Sequence, residues 1–375
     1  MKIAVLGAGM VGRTIAVDLS KNFDTTSIDI NQDNLNRLAK YAGLKTLQAD
    51  LSNYTAYSNL LMGFDMVVCA VPGFMGYKTL EAIIGTGKNV VDISFFPEDA
   101  LALDALAKEK GVTAIVDCGV APGLSNWVLG HYNNLMKIES FECMVGGLPK
   151  LRTKPWEYKA PFSPVDVIEE YTRPARYVSN AEMVTRPALS DAELIDFPIA
   201  GTLESFNTDG LRSILYTMKH IPNMKEKTLR YPGHIALIQS LQKAGFFSTD
   251  KVQVKDAFVT PLAFTSALLI NQWKLGENEP EFTIMTICCK GLMENKPATV
   301  EYFLYDENDA ASGFSSMSRT TGYTCTAAVH LLSEKKFVQK GVFPPELVAN
   351  TAGTFEYIVN YLSERGVKFE KKMKS

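Results

Sequence analysis

The stretch KIAVLGAGMVGRTIAVDLSKNFDTTSIDI, Lys2 to Ile30, decides the fold. Lys2 to Leu6 is a short apolar run bounded by glycine, as a strand buried on both faces requires. Gly7-Ala8-Gly9-Met10-Val11-Gly12 follows, and Val11, Ile15, Leu19 and Phe23 then recur every fourth position along a helix. A second short strand, Thr25 to Ile28, ends in Asp29. Gly7 permits the tight turn, Gly9 lets the backbone approach a pyrophosphate, and Gly12 lets the helix pack close on the strand. The helix N-terminus supplies free N–H groups and the positive end of its dipole. Asp29 stands 22 residues beyond Gly7, where a carboxylate accepts hydrogen bonds from a ribose hydroxyl. A glycine motif alone is a weak signal, but strand before, helix after and acid at that distance together mark a dinucleotide site. The acid, with Ile30-Asn31-Gln32 bringing no cation, would repel a 2′-phosphate, so NAD is favoured over NADP.

Working outward, the alternation continues. Leu44 to Ala49, Asp65 to Val71, Asn89 to Ile93 and Val112 to Val116 read as further strands. Helical segments lie between them, the clearest being Pro97 to Lys110, with Glu98 and Asp99 at its positive end and Gly111 as its stop. Strands alternating with helices mean an α/β doubly wound parallel sheet of Rossmann type, and ligands in such sheets bind beyond the strands' carboxyl ends. The expected cofactor-binding set is Gly7, Gly9, Met10, Val11, Gly12, Asp29, Ile30, Asp50, Leu51, Ala70, Val71 and Pro72. Asp50 reads equally well as a helix cap.

A second strand-to-helix turn, VDCGVAPGLSNWVLG (Val116 to Gly130), lacks the glycine spacing of a phosphate cradle, and Pro122 removes an N–H that a cradle needs. It therefore reads as the handover from residues 1–120, the dinucleotide domain, to an inserted α/β substrate and dimerisation domain over 121–315. There Ser140 to Val145 is strand-like up to Gly146-Gly147, and Leu151 to Pro187 is polar and loop-rich. His234 to Gly276 is helical, and Phe282 to Cys289 with Ala298 to Tyr305 makes an antiparallel hairpin pattern, giving a mixed sheet. Residues 316–375 are expected to return to the first domain, with Pro345 to Arg365 as one helix.

Composition narrows the function. Charged residues make up 21% and the formal net charge is −3, which gives no electrostatic case for nucleic acid or an anionic membrane. No apolar run is long enough to span a bilayer. Six cysteines without paired spacing, and an N-terminus that enters a strand at once, suit a cytoplasmic protein with reduced thiols. Four scattered histidines give no metal site, and neither a GxSxG elbow nor a Walker lysine is present.

In order along the chain stand GAGMVG, DCGVAPGLSN, VGGLP, PFSPVDVIEEYTRPAR, ESFNTDGLRS, TLRYPGH and MSRTTGY. In these motifs the chain resembles the saccharopine dehydrogenase-like oxidoreductases, and among them most closely the lysine 6-dehydrogenases. The resemblance implies a Rossmann domain, an inserted α/β domain and NAD(P)-linked oxidation of an amino-acid side-chain amine, L-lysine first, with loss of ammonia. It also implies that Ser94 matches a substrate-binding serine and Arg230 a substrate-carboxylate arginine. Saccharopine-forming members carry an acid beside the proline of the second turn where this chain has Ala121, a departure that argues against saccharopine.

Oxidising a primary amine requires that the ammonium lose a proton before its neighbouring carbon releases hydride. Asp92 and Asp117, at strand ends near the nicotinamide, are candidates to bind or relay that proton, or else cap the next helix. Ser94 is a candidate orienting hydroxyl, and Tyr171 and His234 are candidate proton carriers. For the α-carboxylate, Arg230 is the first candidate, with Arg173 and Arg176 second. The rival readings are a saccharopine or carboxynorspermidine dehydrogenase and, from a different class, a redox-sensing NAD-binding protein without turnover. A homodimer or higher homo-oligomer is expected from the exposed face of the hairpin sheet.

Overall fold

The computed structural model describes residues 1–374. Its first part forms β1 (Lys2–Leu6), β2 (Asp24–Asp29), β3 (Lys45–Gln48), β4 (Met66–Cys69), β5 (Asn89–Asp92) and β6 (Thr113–Ile115). All pair in parallel, in the order β6-β5-β4-β1-β2-β3, so the strand order reverses at β1 and opens a crevice above it. Both faces of β1 are covered. Ile3 and Val5 pack toward Ile15 and Leu19 of the helix Met10–Ser20, whereas Ala4 and Leu6 pack toward Leu80 and Ile83 of the helix Gly73–Gly85. That two-sided burial is why the run reads as continuously apolar rather than alternating.

The helix expected over Pro97–Lys110 starts later. Asp99 accepts the Leu101 N–H, so the cap falls there, followed by a single 3₁₀ turn and a helix over Asp104–Glu109.

The second domain adds β7 (Lys137–Pro149), β8 (Ala175–Ser179), β9 (Glu182–Arg186), β10 (Glu193–Phe197), β11 (Gly201–Asn207) and β12 (Asn223–Arg230). A small hairpin, β13 (Val252–Val254) with β14 (Ala257–Val259), precedes the long β15 (Glu281–Met293) and β16 (Lys296–Glu307). The sheet order is β10-β11-β12-β7-β15-β16, with β12 and β7 parallel and the other neighbours antiparallel, so the sheet is mixed. The β15–β16 hairpin turns through Glu294 and Asn295, both at positive φ, the conformation a two-residue hairpin loop demands. β7 does not stop at Gly146-Gly147 but continues to Pro149. The stretch read as loop-rich holds the helix Pro164–Thr172, with proline at its first position, and the strands β8 and β9.

The chain then returns. The helix Ser316–Ser333 packs on Met10–Ser20, and β17 (Gly341–Phe343) extends the first sheet beside β6. The expected helix over Pro345–Arg365 is two, Pro345–Val348 and Thr354–Glu364, parted at Gly353 with φ 81°. β18 (Phe369–Lys374) crosses back to pair with β16.

Candidate active site

A cleft of about 620 Å³ runs from the carboxyl ends of the first sheet to the face of β12 in the second. The glycine turn forms one end. At Gly7, φ is +100°, and a Cβ there would meet the Ala70 carbonyl oxygen at 2.4 Å. A Cβ on Gly12 would stand 2.1 Å from the Gly7 oxygen, so the helix closes on the turn only with glycine there. Gly9 has open space where its Cβ would be, which leaves the backbone accessible from the cleft. The Asp29 carboxylate accepts the Ala8 N–H at 2.6 Å and the Asn31 N–H at 2.7 Å, so it braces the turn while facing the cleft. Gly7, Gly9, Met10, Val11, Gly12, Asp29, Ile30, Asp50, Leu51, Ala70, Val71 and Pro72 all line this space. Asp50 lines the cleft and caps no helix: the next helical turn is entered at Asn53, and Asp50 instead accepts Ser52 N–H and O–H in a local turn.

The second turn is self-contained. Gly119 N–H donates to the Pro122 carbonyl, Leu124 N–H to the Gly119 carbonyl, and Gly123 N–H to Asn126 Oδ1. Asn126 in turn donates to Glu346 and Ser213, tying the turn to the returning segment. Gly119 to Pro122 form cleft wall rather than a second cradle.

Of the carboxylates expected near the reacting carbon, Asp92 does not reach the cleft. It is buried at the end of β5, where Ser94 donates N–H and hydroxyl to its Oδ1, and burial raises it to about 7. Ser94 lines the cleft, but its hydroxyl is turned to Asp92 and Cys69. Asp117 also lines the cleft, yet its Oδ1 accepts Arg212 Nε–H at 2.9 Å in a buried ion pair, so it serves as a domain tie.

Arg230 lies at the far end, only 2% exposed yet lining the cleft. Its Nε donates to Tyr171 Oη at 2.8 Å, one terminal nitrogen to the Leu229 carbonyl and the other to Glu170 at 2.9 Å. Two of its N–H donors remain free. Tyr171 and His234 stand behind it and do not line the cleft. His234 Nδ1–H donates to the Trp156 carbonyl, so Nε2 accepts from the Tyr171 hydroxyl at 2.9 Å. Burial and the neighbouring Arg230 press His234 down to about 3, which keeps it neutral. Tyr171 thus braces the guanidinium and His234 braces Tyr171, both set back from the cleft lining. Arg173 is drawn off by Glu169 at 2.5 Å and Arg176 by a two-point pair with Asp209, and neither lines the cleft.

Three carboxylates not foreseen complete the far end: Asp166, Glu170 and Glu226. Burial raises all three, Asp166 to about 6 and Glu226 to about 8. Asp166 accepts the Gly73 N–H from across the cleft. Glu226, Thr228 and Arg230 are alternate residues of β12 and share its cleft face. That spacing around Arg230 is the available sequence signal, set in the charged run Lys225-Glu226-Lys227.

This architecture, a glycine-turn nucleotide domain facing a mixed-sheet domain across one cleft, is that of the two-domain pyridine-nucleotide oxidoreductases. The saccharopine dehydrogenase NADP binding domain matches residues 3–115 and the saccharopine dehydrogenase C-terminal domain residues 119–367. The chain belongs to the saccharopine dehydrogenase family. It is 24% identical over 284 residues to the alpha-aminoadipic semialdehyde synthase of Bos taurus, covering 71% of this chain and 31% of that protein. It therefore spans about a third of the length of that relative. It is also 24% identical to the NADP(+), L-glutamate-forming saccharopine dehydrogenase of Saccharomyces cerevisiae, over 71% of this chain and 62% of that one. The apo structure of an L-Glu-forming saccharopine dehydrogenase from Saccharomyces cerevisiae aligns over 100% of both chains with a TM-score of 0.79 at 18% identity, a shared fold. No helix among the described residues is long and apolar enough to cross a membrane.

Proposed function

We propose that this protein is an NAD-dependent amino-acid dehydrogenase that oxidises the ε-amine of L-lysine to 2-aminoadipate semialdehyde, which cyclises, and releases ammonia. The carrying observation is the charge of the far end of the cleft. One guanidinium, Arg230, shares it with the carboxyl groups of Asp166, Glu170 and Glu226. Lysine brings one carboxylate and two ammonium groups, which suits that set; saccharopine brings three carboxylates, and Arg230 is the sole basic residue lining the cleft among the described residues. The free N–H donors of Arg230 take the α-carboxylate, while Tyr171 and Glu170 fix the plane of the fork. Val145, Phe162 and Met317 line the cleft beside these groups and exclude water from the aliphatic stem. The nicotinamide, when bound, supplies the hydride acceptor.

For the cofactor, the wall at Asp29, Ile30, Asn34 and Asp50 contains no cation for a 2′-phosphate, which supports NAD. Replacing Asp29 with alanine removes a charged acceptor worth about 1.5–3 kcal/mol, so NAD affinity measured by fluorescence titration should fall at least about tenfold. Unchanged affinity would refute the ribose assignment. The decisive assay is nicotinamide reduction by the purified protein with L-lysine and NAD⁺, without 2-oxoglutarate, and NADP⁺ in parallel. Reduction with matching ammonia release is the expected result. Turnover only with saccharopine or a carboxylated polyamine would overturn the substrate, and dinucleotide binding without turnover would leave a sensor.

A further inference from the structure

Within the proposed amine oxidation, on which this step rests, one group must take the proton of the reacting ammonium, and most of the nearby carboxylates are already committed. Asp117 is paired with Arg212 and Glu170 with Arg230; Asp166 has no salt bridge but sits on the helix Pro164–Thr172 against the Gly73 N–H, off the β12 face that carries Arg230. Asp92 does not line the cleft. Glu226 differs. It is 6% exposed, lines the cleft, and has no cation in contact, only the Thr208 hydroxyl at 3.3 Å and the Gly210 N–H.

We propose that Glu226 is the catalytic proton acceptor of the amine, and that Gly210 and Thr208 build its seat. The seat is tight. A Cβ on residue 210 would fall 1.3 Å from Glu226 Oε2, so glycine alone lets the carboxyl group lie against that loop. Thr208 also exchanges a hydrogen bond with Thr228 at 3.0 Å, which fixes the hydroxyl beside the next cleft-facing position of β12. Glu226 and Arg230 are four residues apart on one strand face, about 13 Å between their Cα atoms at the usual rise. With each side chain reaching inward, that separation accommodates the two ends of an extended lysine, the carboxylate at Arg230 and the ε-nitrogen at Glu226.

The step balances. An N–H bond of the ammonium breaks as an O–H bond forms on Glu226, leaving a neutral amine with its lone pair. That lone pair is what hydride loss from the adjoining carbon requires; the oxidised nicotinamide, when bound, would accept the hydride, and the carbon–nitrogen bond would become an iminium. Water then adds to that carbon, its two hydrogens pass to the nitrogen, and ammonium departs with the carbon left as aldehyde, while the proton on Glu226 returns to solvent.

The surroundings fix the pH behaviour. Glu170 from the helix Pro164–Thr172 and Asp209 from the loop after β11 face Glu226 with like charge, and Cys143 of β7 lies beside it. Asp209 is held by Arg176. Burial, then Glu170, pushes Glu226 up to about 8, and only its deprotonated form accepts a proton. Activity therefore rises as pH rises through about 8 and falls about tenfold per unit below it.

The test is the pH profile of kcat/KM for amine oxidation in the wild type and in Glu226→Gln, using lysine or whichever amine the wild type oxidises. Glutamine keeps the shape and can still accept from Thr208 and Gly210. We expect kcat to fall about 10²–10⁴-fold, the limb near pH 8 to vanish, and NADH affinity to stay within about twofold. A variant that retains that limb, or loses less than about threefold in kcat, would overturn the proposal. If Glu226→Gln does not fold, the wild-type profile decides alone, and the absence of a rising limb near pH 8 sinks the assignment. Oxidation of saccharopine instead of lysine would refute the substrate and leave the Glu226 test intact. A wild type that oxidises no amine refutes both.

Discussion

Arg230→Ala is expected to lower kcat/KM for the amino-acid substrate by about 10³-fold, the equivalent of about 4 kcal/mol for losing one partner of a desolvated charge pair. NAD affinity should change little, because the glycine turn and Asp29 lie at the other end of the cleft. The loss has two sources. The substrate carboxylate loses its fork, and Glu170 is left buried against Tyr158 and Tyr171 without its cation. Arg230→Lys separates them. Lysine restores a charge for Glu170 but cannot at once serve Tyr171, the Leu229 carbonyl and a carboxylate in one plane. Kinetics on both variants, with thermal unfolding, give the measurement. A lysine variant with wild-type KM would refute the forked recognition.

Gly12→Ala is expected to abolish useful dinucleotide binding. The added methyl would stand 2.1 Å from the Gly7 carbonyl oxygen, a backbone atom that cannot swing aside as a side chain would. Relief requires the helix Met10–Ser20 to back away from the turn, at about 3 kcal/mol for overpacking, or about a hundredfold in the NAD dissociation constant. Gly9→Ala is the control, since its Cβ meets nothing in the free protein. Any loss it causes reports contact with the nucleotide itself. Calorimetric titration of both variants with NAD checks this, and equal, small losses would show that the helix does not set the cradle.

The nucleotide half was legible because each of its residues answers a local demand. Gly7, Gly12 and Asp29 act within one strand-turn-helix-strand unit, and sequence distance maps directly onto space. The substrate half was less so. Tyr171 and His234 carry proton-carrier residue types, but their role was decided by what stands in front of them: Arg230, from a separate strand, screens both from the cleft. Glu226 sits in a charged run, NMKEKTLR, that looks like solvated surface, and becomes buried because β12 is central, with β11 and β7 on either side. Asp92 failed for a nearer reason: a serine two residues on captured it. The one long tail helix failed because glycine at 353 takes a left-handed turn.

The path of the returning chain bears on how the molecule is made. Thr113 on β6 gives its hydroxyl to the carbonyl of Gln339, 226 residues later, next to the strand that completes the first sheet. The helix Ser316–Ser333, which packs on Met10–Ser20 and beside β5, is made just as late. During synthesis the nucleotide half therefore leaves the ribosome first yet waits, with the β6 edge open and part of one face uncovered beside β5, until the whole second sheet has been translated. Pairings so distant in sequence close slowly, and unpaired edges invite association between chains. A chain lacking residues 316 onward would lack both the helix that packs on Met10–Ser20 and the strand that closes the β6 edge.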